Sequence, residues 1–141
     1  MAVKYKYSRQ REEIYKILKS TKIHPTAQWI YEQTKKELPN ISLGTVYRNL
    51  NILIDQKRIT VLHTCDDFDH YEANVMPHYH IICQKCKKIE DLDTDKLPSV
   101  DGNIISAAED ASGYKITNRS FSFLGICADC QAKSSGQTET D

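Results

Sequence analysis

Two cysteine pairs of identical short spacing, Cys83-x-x-Cys86 and Cys127-x-x-Cys130, stand forty residues apart and constrain the fold more than any other feature. Each pair has the bite that lets two thiolates approach one cation, and four such sulfurs complete a tetrahedron around zinc. A closed thiolate shell leaves no position for water or substrate, so the expected ion is structural. It would tie two distant segments into one small domain. In a reducing compartment such pairs are better explained by metal than by disulfides. Cys65, the fifth cysteine, has no partner in this scheme and reads as a small half-buried thiol.

The formal net charge of the 141 residues is zero, but it is unevenly spread. Residues 1–65 carry 12 Lys and Arg against 5 Asp and Glu, and residues 66–141 carry 7 against 14. One half is thus +7 and the other −7, a division that points to a nucleic-acid-facing part joined to something else. Two domains are expected, with the boundary near CDDFD, Cys65 to Asp69. No apolar run approaches the ~20 residues that span a bilayer, and MAVKYKYSRQREE lacks the apolar stretch of a secretory signal. A soluble, cytoplasmic protein with no membrane partner is expected.

Ser8 caps a first helix with Ile14, Ile17 and Leu18 at helical spacing, and Thr26 caps a second that Pro39 and Asn40 end. Ser42 caps a third, whose Val46, Leu50, Leu53 and Ile54 form an apolar stripe. RITVLHT and DHYEANV flank an acidic turn and read as a hairpin. Three helices and a two-stranded ribbon in a +7 segment describe a winged helix-turn-helix. Its third helix would enter the major groove of double-stranded DNA, with Thr45, Tyr47 and Arg48 reaching bases or phosphates. The plainer reading of the same pattern is a small helical bundle with a solvated polar face.

Further along, HYHIICQ and KKIEDLD read as strands, SVDGNIISAAEDAS as a helix and KITNRSFSFLGIC as a strand reaching the last cysteine pair. The fold class is α+β. The divisions expected are a winged-helix domain at 1–66, a hinge at 67–72, a second domain at 73–131 and a disordered tail at 132–141.

On a strand, His78 and His80 share one face while Cys83 has the opposite parity, so the imidazoles point away from the zinc. That predicts a second metal, with Glu72 and Asp91 as candidate carboxylate ligands on the same side. Imidazoles with carboxylates suit iron, manganese or zinc. The histidine pair alone is equally an exposed strand pair. His63 and His70, at the two ends of the hairpin, read as surface or turn residues.

The stretches HPTAQWIYEQTKKELPNISLGTVYRNLNIL, HYHIICQKCKKIEDL and CADC together resemble the ferric uptake regulator superfamily over nearly the whole chain. Within it they look most like its peroxide-sensing branch. The resemblance implies a homodimer that represses transcription at operator DNA, with an N-terminal winged helix and a C-terminal α/β dimerisation domain holding structural zinc on Cys83, Cys86, Cys127 and Cys130. It also implies a regulatory iron(II) or manganese(II) site between the domains, mapping onto His24, Glu72, His78, His80 and Asp91. With iron there, peroxide would oxidise His24 or His78, and no other small-molecule substrate is expected.

Asp91, five residues after Cys86, matches the peroxide sensors, whereas iron sensors typically have Glu there. Three features depart from the pattern. Glu72 stands where peroxide sensors usually place Asp. The usual first helix is missing or reduced ahead of YSRQRE, where Lys4 and Lys6 stand. Cys65 near the hinge keeps a zinc-responsive regulator in view, beside iron- and manganese-responsive ones without peroxide sensing. From a different class, a 2-His-1-carboxylate oxygenase competes, but five available ligands and no evident substrate pocket argue for a protein that is not an enzyme.

Overall fold

The computed structural model describes residues 4–64, 66–76, 78–92, 97, 101–117 and 121–135. The chain divides into two compact units, Met1–Met76 and Pro77–Asp141. Among the described residues no helix is long and apolar enough to cross a membrane.

The first unit contains α1 (Arg9–Lys19), α2 (Ala27–Glu37), α3 (Leu43–Asp55), β1 (Thr60–His63) and β2 (Asp69–Glu72). Each helix begins where a hydroxyl takes an otherwise orphaned N–H. Ser8 accepts from Arg11 N–H at 3.3 Å, Thr26 from Trp29 at 3.3 Å and Ser42 from Thr45 at 3.1 Å. Ile14 and Leu18 of α1, Ile30 of α2, and Val46, Leu50 and Leu53 of α3 meet in a fully buried core. Each contributes about 1.5–3 kcal/mol by leaving water.

Lys57, at φ 59°, ends α3 in the left-handed conformation, and Arg58 N–H reaches back to the Leu53 carbonyl at 3.0 Å. This turns the chain into β1, which pairs antiparallel with β2 from Thr60↔Glu72 to His63↔Asp69. Ahead of α1, residues 4–8 carry no helix, and the Tyr5 hydroxyl donates to Asp55 at 3.0 Å.

The hinge expected at 67–72 is instead β2 and the turn leading into it, and the units divide after Met76. Asp69–Glu72 each have a partner on β1, and Tyr71 packs into the helical core at 3% exposure.

Arg58 grips Glu12 of α1 with two hydrogen bonds, 2.8 and 2.9 Å, and lies 4.1 Å from the Tyr15 ring centroid. The Arg58 hydrogen bonds hold the Glu12 carboxyl below its ordinary 4.5. A depressed acid contributes stability above its unfolded pKa and loses it as pH falls through the folded value. Because the pair is partly exposed, with side chains at 30% and 37%, that contribution is screened to about 0.5–1 kcal/mol. Glu12→Gln should lower neutral-pH stability by about that much. In urea melts the gap to the parent protein should shrink as pH drops below 4.5 and close in strong acid.

The second unit contains β3 (Tyr79–Cys83), β4 (Ile89–Leu92), α4 (Asp101–Ser112), β5 (Ser122–Gly125) and α5 (Ala128–Ser135). Its sheet has the order β4-β3-β5, antiparallel between β3 and β4 and parallel between β3 and β5. Its buried apolar residues, among those described, are only Tyr79, Ile82, Cys83, Ile89 and Cys130. A described core this small is of the kind that a metal staple or a partner subunit reinforces.

The strand expected over KITNRSFSFLGIC is shorter. Ile116 N–H is taken by the Glu109 carboxylate at 3.0 Å, which draws the chain back along α4 before β5 begins. Residues 118–120 lie outside the described ones. The tail expected to be disordered from 132 is helical through Ser135, because α5 starts at the last cysteine pair, where the Cys127 carbonyl accepts from Gln131 N–H at 2.9 Å. The rest of the tail, 136–141, is outside the described residues.

Candidate metal centres

Parallel pairing sets Cys83, the last residue of β3, beside Gly125, the last of β5. Parallel strands end on the same side, so the turn after β3, with Cys86, and the start of α5, with Cys127 and Cys130, converge. The four sulfurs lie within 4.8 Å of one another, and Cys86 and Cys127 are 3.8 Å apart. Ligands on about 2.3 Å zinc–sulfur bonds in a tetrahedron are about 3.8 Å apart.

Backbone N–H groups point at the sulfurs: Cys86 and Cys127 donate to Cys83 Sγ at 3.5 and 3.3 Å, and Cys130 donates to Cys127 Sγ at 3.4 Å. Hydrogen bonds from the Cys127 and Cys86 N–H groups pull the Cys83 thiol down to about 5. The Cys130 thiol is pushed up to about 12, first by its hydrogen bond to Cys127 and then by burial. N–H donors aimed at sulfur stabilise the thiolate form, and crowded thiols give up their shared protons to a cation on binding. The quartet fits zinc.

In the same unit, His80 pairs in register with Asp91 of β4, and His78 sits one residue before β3. The His78 and His80 Nε2 atoms are 3.0 Å apart and lie 3.2 and 3.3 Å from Asp91 Oδ1. With metal–ligand bonds of about 2.1 Å, neighbouring donors are about 3.0 Å apart in an octahedron and about 3.4 Å in a tetrahedron. These three atoms therefore form one face of either polyhedron, without thiolate, as iron(II) or manganese(II) prefers.

In the first unit, His24 lies between α1 and α2 and is 4% exposed. Its Nε2 is 2.8 Å from Glu72 Oε2 at the end of β2. The other Glu72 oxygen accepts from the Thr60 hydroxyl at 3.2 Å, across the hairpin. His24 adopts φ 56°, a left-handed conformation that costs a non-glycine residue about 1–2 kcal/mol.

His70, read from the sequence as a surface or turn residue, is mostly buried, with its side chain 12% exposed. Its Nδ1 donates to the His24 carbonyl at 2.7 Å and its Nε2 meets Asp66 Oδ2 at 2.8 Å. His63 is exposed as expected and pairs with Asp69 at 2.7 Å. Cys65 lies outside the described residues.

On α3, Tyr47 is 47% exposed and Arg48 is exposed, opposite the buried Val46, Asn49 and Leu50. Thr45 is half-buried, its hydroxyl 2.9 Å from that of Ser42.

Residues 2–130 match the model of the ferric uptake regulator family. The chain belongs to that family. The peroxide-responsive repressor PerR of Staphylococcus saprophyticus is 33% identical over 124 residues, 88% of this chain and 81% of that one. The solved Campylobacter jejuni peroxide stress regulator is 32% identical with a TM-score of 0.71, covering 86% of this chain and 88% of its own. The Helicobacter pylori ferric uptake regulator, a protein with three functional metal-binding sites, is 28% identical with a TM-score of 0.76, covering 89% and 82%.

A ferric uptake regulator family member is a metal-responsive transcription regulator rather than an enzyme. Its cofactors here are zinc, suited to the thiolate quartet, and iron(II) or manganese(II), suited to the imidazole–carboxylate groups. The structure brings the sequence-predicted His24 together with Glu72, and His78 and His80 with Asp91. Three supporting residues escaped the sequence reading: Thr60, Asp66 and His70. The only signal for them was the strand alternation that puts His70 on the face opposite Tyr71, and that says nothing of which atoms each side chain meets.

Proposed function

We propose that this chain is a homodimeric repressor that binds double-stranded operator DNA through α3 and senses hydrogen peroxide at one regulatory ion held jointly by His24, Glu72, His78, His80 and Asp91. The observation that carries the reading is the donor face of His78, His80 and Asp91, all nitrogen and oxygen at 3.0–3.3 Å and built apart from the cysteines. A thiolate-free set keeps iron(II) labile and reactive, unlike the sulfur-rich sites that favour zinc.

Thr45, Tyr47 and Arg48 read the major groove, and Cys83, Cys86, Cys127 and Cys130 hold the structural zinc. Dimer formation is supported by β5, an edge strand among the described residues, with Phe123 and Leu124 about half exposed. Holding both units by one ion sets the spacing of two recognition helices, which must match half-sites about one DNA turn apart. Each tenfold gain in operator affinity needs only about 1.4 kcal/mol of differential metal binding between closed and open forms.

Iron(II) held by these residues would supply the redox chemistry by which one hydrogen peroxide transfers one oxygen atom to a coordinating imidazole, His24 or His78, while its other oxygen leaves as water. The altered ring is a poorer donor, the ligand set falls below the number needed to hold both units, and repression ends.

Iron-loaded protein prepared without oxygen and given one equivalent of peroxide should gain one oxygen atom on a peptide containing His24 or His78 and release DNA. Manganese-loaded protein should do neither. Unmodified histidines, with operator affinity that merely follows the metal supplied, would replace this reading with that of an iron-, manganese- or zinc-responsive regulator without peroxide sensing.

A further inference from the structure

His70 has no part in the donor sets above, yet it is among the most constrained polar residues of the first unit. A backbone carbonyl can only accept, so the 2.7 Å contact to the His24 carbonyl requires the hydrogen to sit on His70 Nδ1. The ring cannot turn away, because Asp66 Oδ2 lies 2.8 Å from its other nitrogen. Asp66 is itself fixed by the Thr64 hydroxyl and by Phe68 N–H, the latter at 3.1 Å.

The target of this chain of bonds is a strained residue. His24 holds φ 56°, and the very next carbonyl, that of Pro25, is taken by Tyr71 N–H at 2.9 Å, beside an antiparallel bridge between Thr26 and His70. Two consecutive carbonyls of the corner before α2 are thus fastened to β2, one by the backbone and one by the His70 ring. A left-handed non-glycine residue persists only where its surroundings over-determine it. The same strand ends in Glu72, whose carboxylate meets the His24 imidazole at 2.8 Å.

We propose that His70 is a positioning residue for the regulatory metal site: its ring N–H fastens the His24 carbonyl and holds that residue in the left-handed corner from which its imidazole faces Glu72. The inference rests on His24 being a regulatory ligand, as proposed above. His70 touches no metal; it acts through the backbone of a residue that does. Groups that orient ligands in this way change metal affinity by about 10–100-fold when lost.

The test compares His70→Asn with His70→Gln. The asparagine amide nitrogen occupies the place of Nδ1 and keeps a donor for the His24 carbonyl, whereas glutamine carries its amide one methylene further out, toward Asp66. Manganese(II) titrations of the zinc-loaded protein, followed by the signal of free manganese(II), give the affinity. Trp29 fluorescence melts report the stability of the first unit.

H70Q should bind manganese(II) about tenfold more weakly than the parent protein, and H70N should stay within about threefold, with zinc content and melting alike in both. A purely structural role would lower melting in the two variants and leave the affinity of the folded protein unchanged, which overturns the proposal, as does equal affinity of H70N and H70Q. His24→Ala separates the two levels. If it abolishes manganese(II) binding while H70Q binds normally, only the role of His70 falls; if it binds as the parent does, the ligand reading falls and this inference with it.

Discussion

Replacing Cys130 with serine, or stripping zinc with a chelator under reducing conditions, unfolds the second unit and leaves the helices of the first intact. The second unit has few buried apolar residues of its own among those described, and two of them, Cys83 and Cys130, are zinc-ligand candidates. Structural zinc supplies on the order of 10 kcal/mol to small metal-folded domains, as much as the whole stability of a domain of this size. Removing one thiolate also leaves the other three crowded within 4.8 Å with no cation between them. The first unit instead draws on Ile14, Leu18, Ile30, Val46, Leu50 and Leu53, which no metal touches. Trp29, the single tryptophan, lies in the first unit and reports it selectively. Its melting should be nearly unchanged while amide exchange in β3, β4 and β5 becomes fast. Continued protection of those strands in the zinc-free protein would show that the quartet is not what holds the sheet.

His24→Ala should abolish the gain in operator affinity that manganese(II) confers, while the zinc content and the melting of the first unit stay close to those of the parent. On the proposed reading His24 and Glu72 are the only donors the first unit contributes, so truncating the imidazole leaves a lone carboxylate to hold that side. A metal-driven coupling of 1–3 kcal/mol, about 5–150-fold in affinity, would fall to near unity. The measurement is fluorescence anisotropy on operator DNA selected with the manganese-loaded parent protein. Asp91→Ala, on the opposite donor group, should give the same loss, because either group alone cannot hold both units. A variant at His24 that still answers manganese(II) in full would mean that the ion acts within the second unit by itself.

Local rules carried much of this fold. Ser8, Thr26 and Ser42 are legible as caps because a helix start needs one hydroxyl and the N–H three residues on, all within a single turn. Val46, Leu50 and Leu53 are legible as core because their spacing repeats the helical period. The double C-x-x-C pattern is legible as zinc because tetrahedral coordination by sulfur is a property of the ion. The short β5 and the eight-residue α5 were not legible, since each depends on a partner elsewhere: Glu109 for the segment before β5, and the Cys127 carbonyl for the start of α5.

By itself, then, the sequence determined the two-part layout, the three capped helices and the thiolate quartet, with His78, His80, Glu72 and Asp91 as further candidates, whereas His24 joined them only through the family resemblance. Only the tertiary structure decided that Glu72 pairs with Thr60, whose hydroxyl steadies its carboxylate, and that Asp66 and His70 brace the corner at His24. Periodicity reports which side of an element a residue lies on, while partners depend on strand register and on corners such as φ 56° at His24, which are set by contacts between residues distant in the chain.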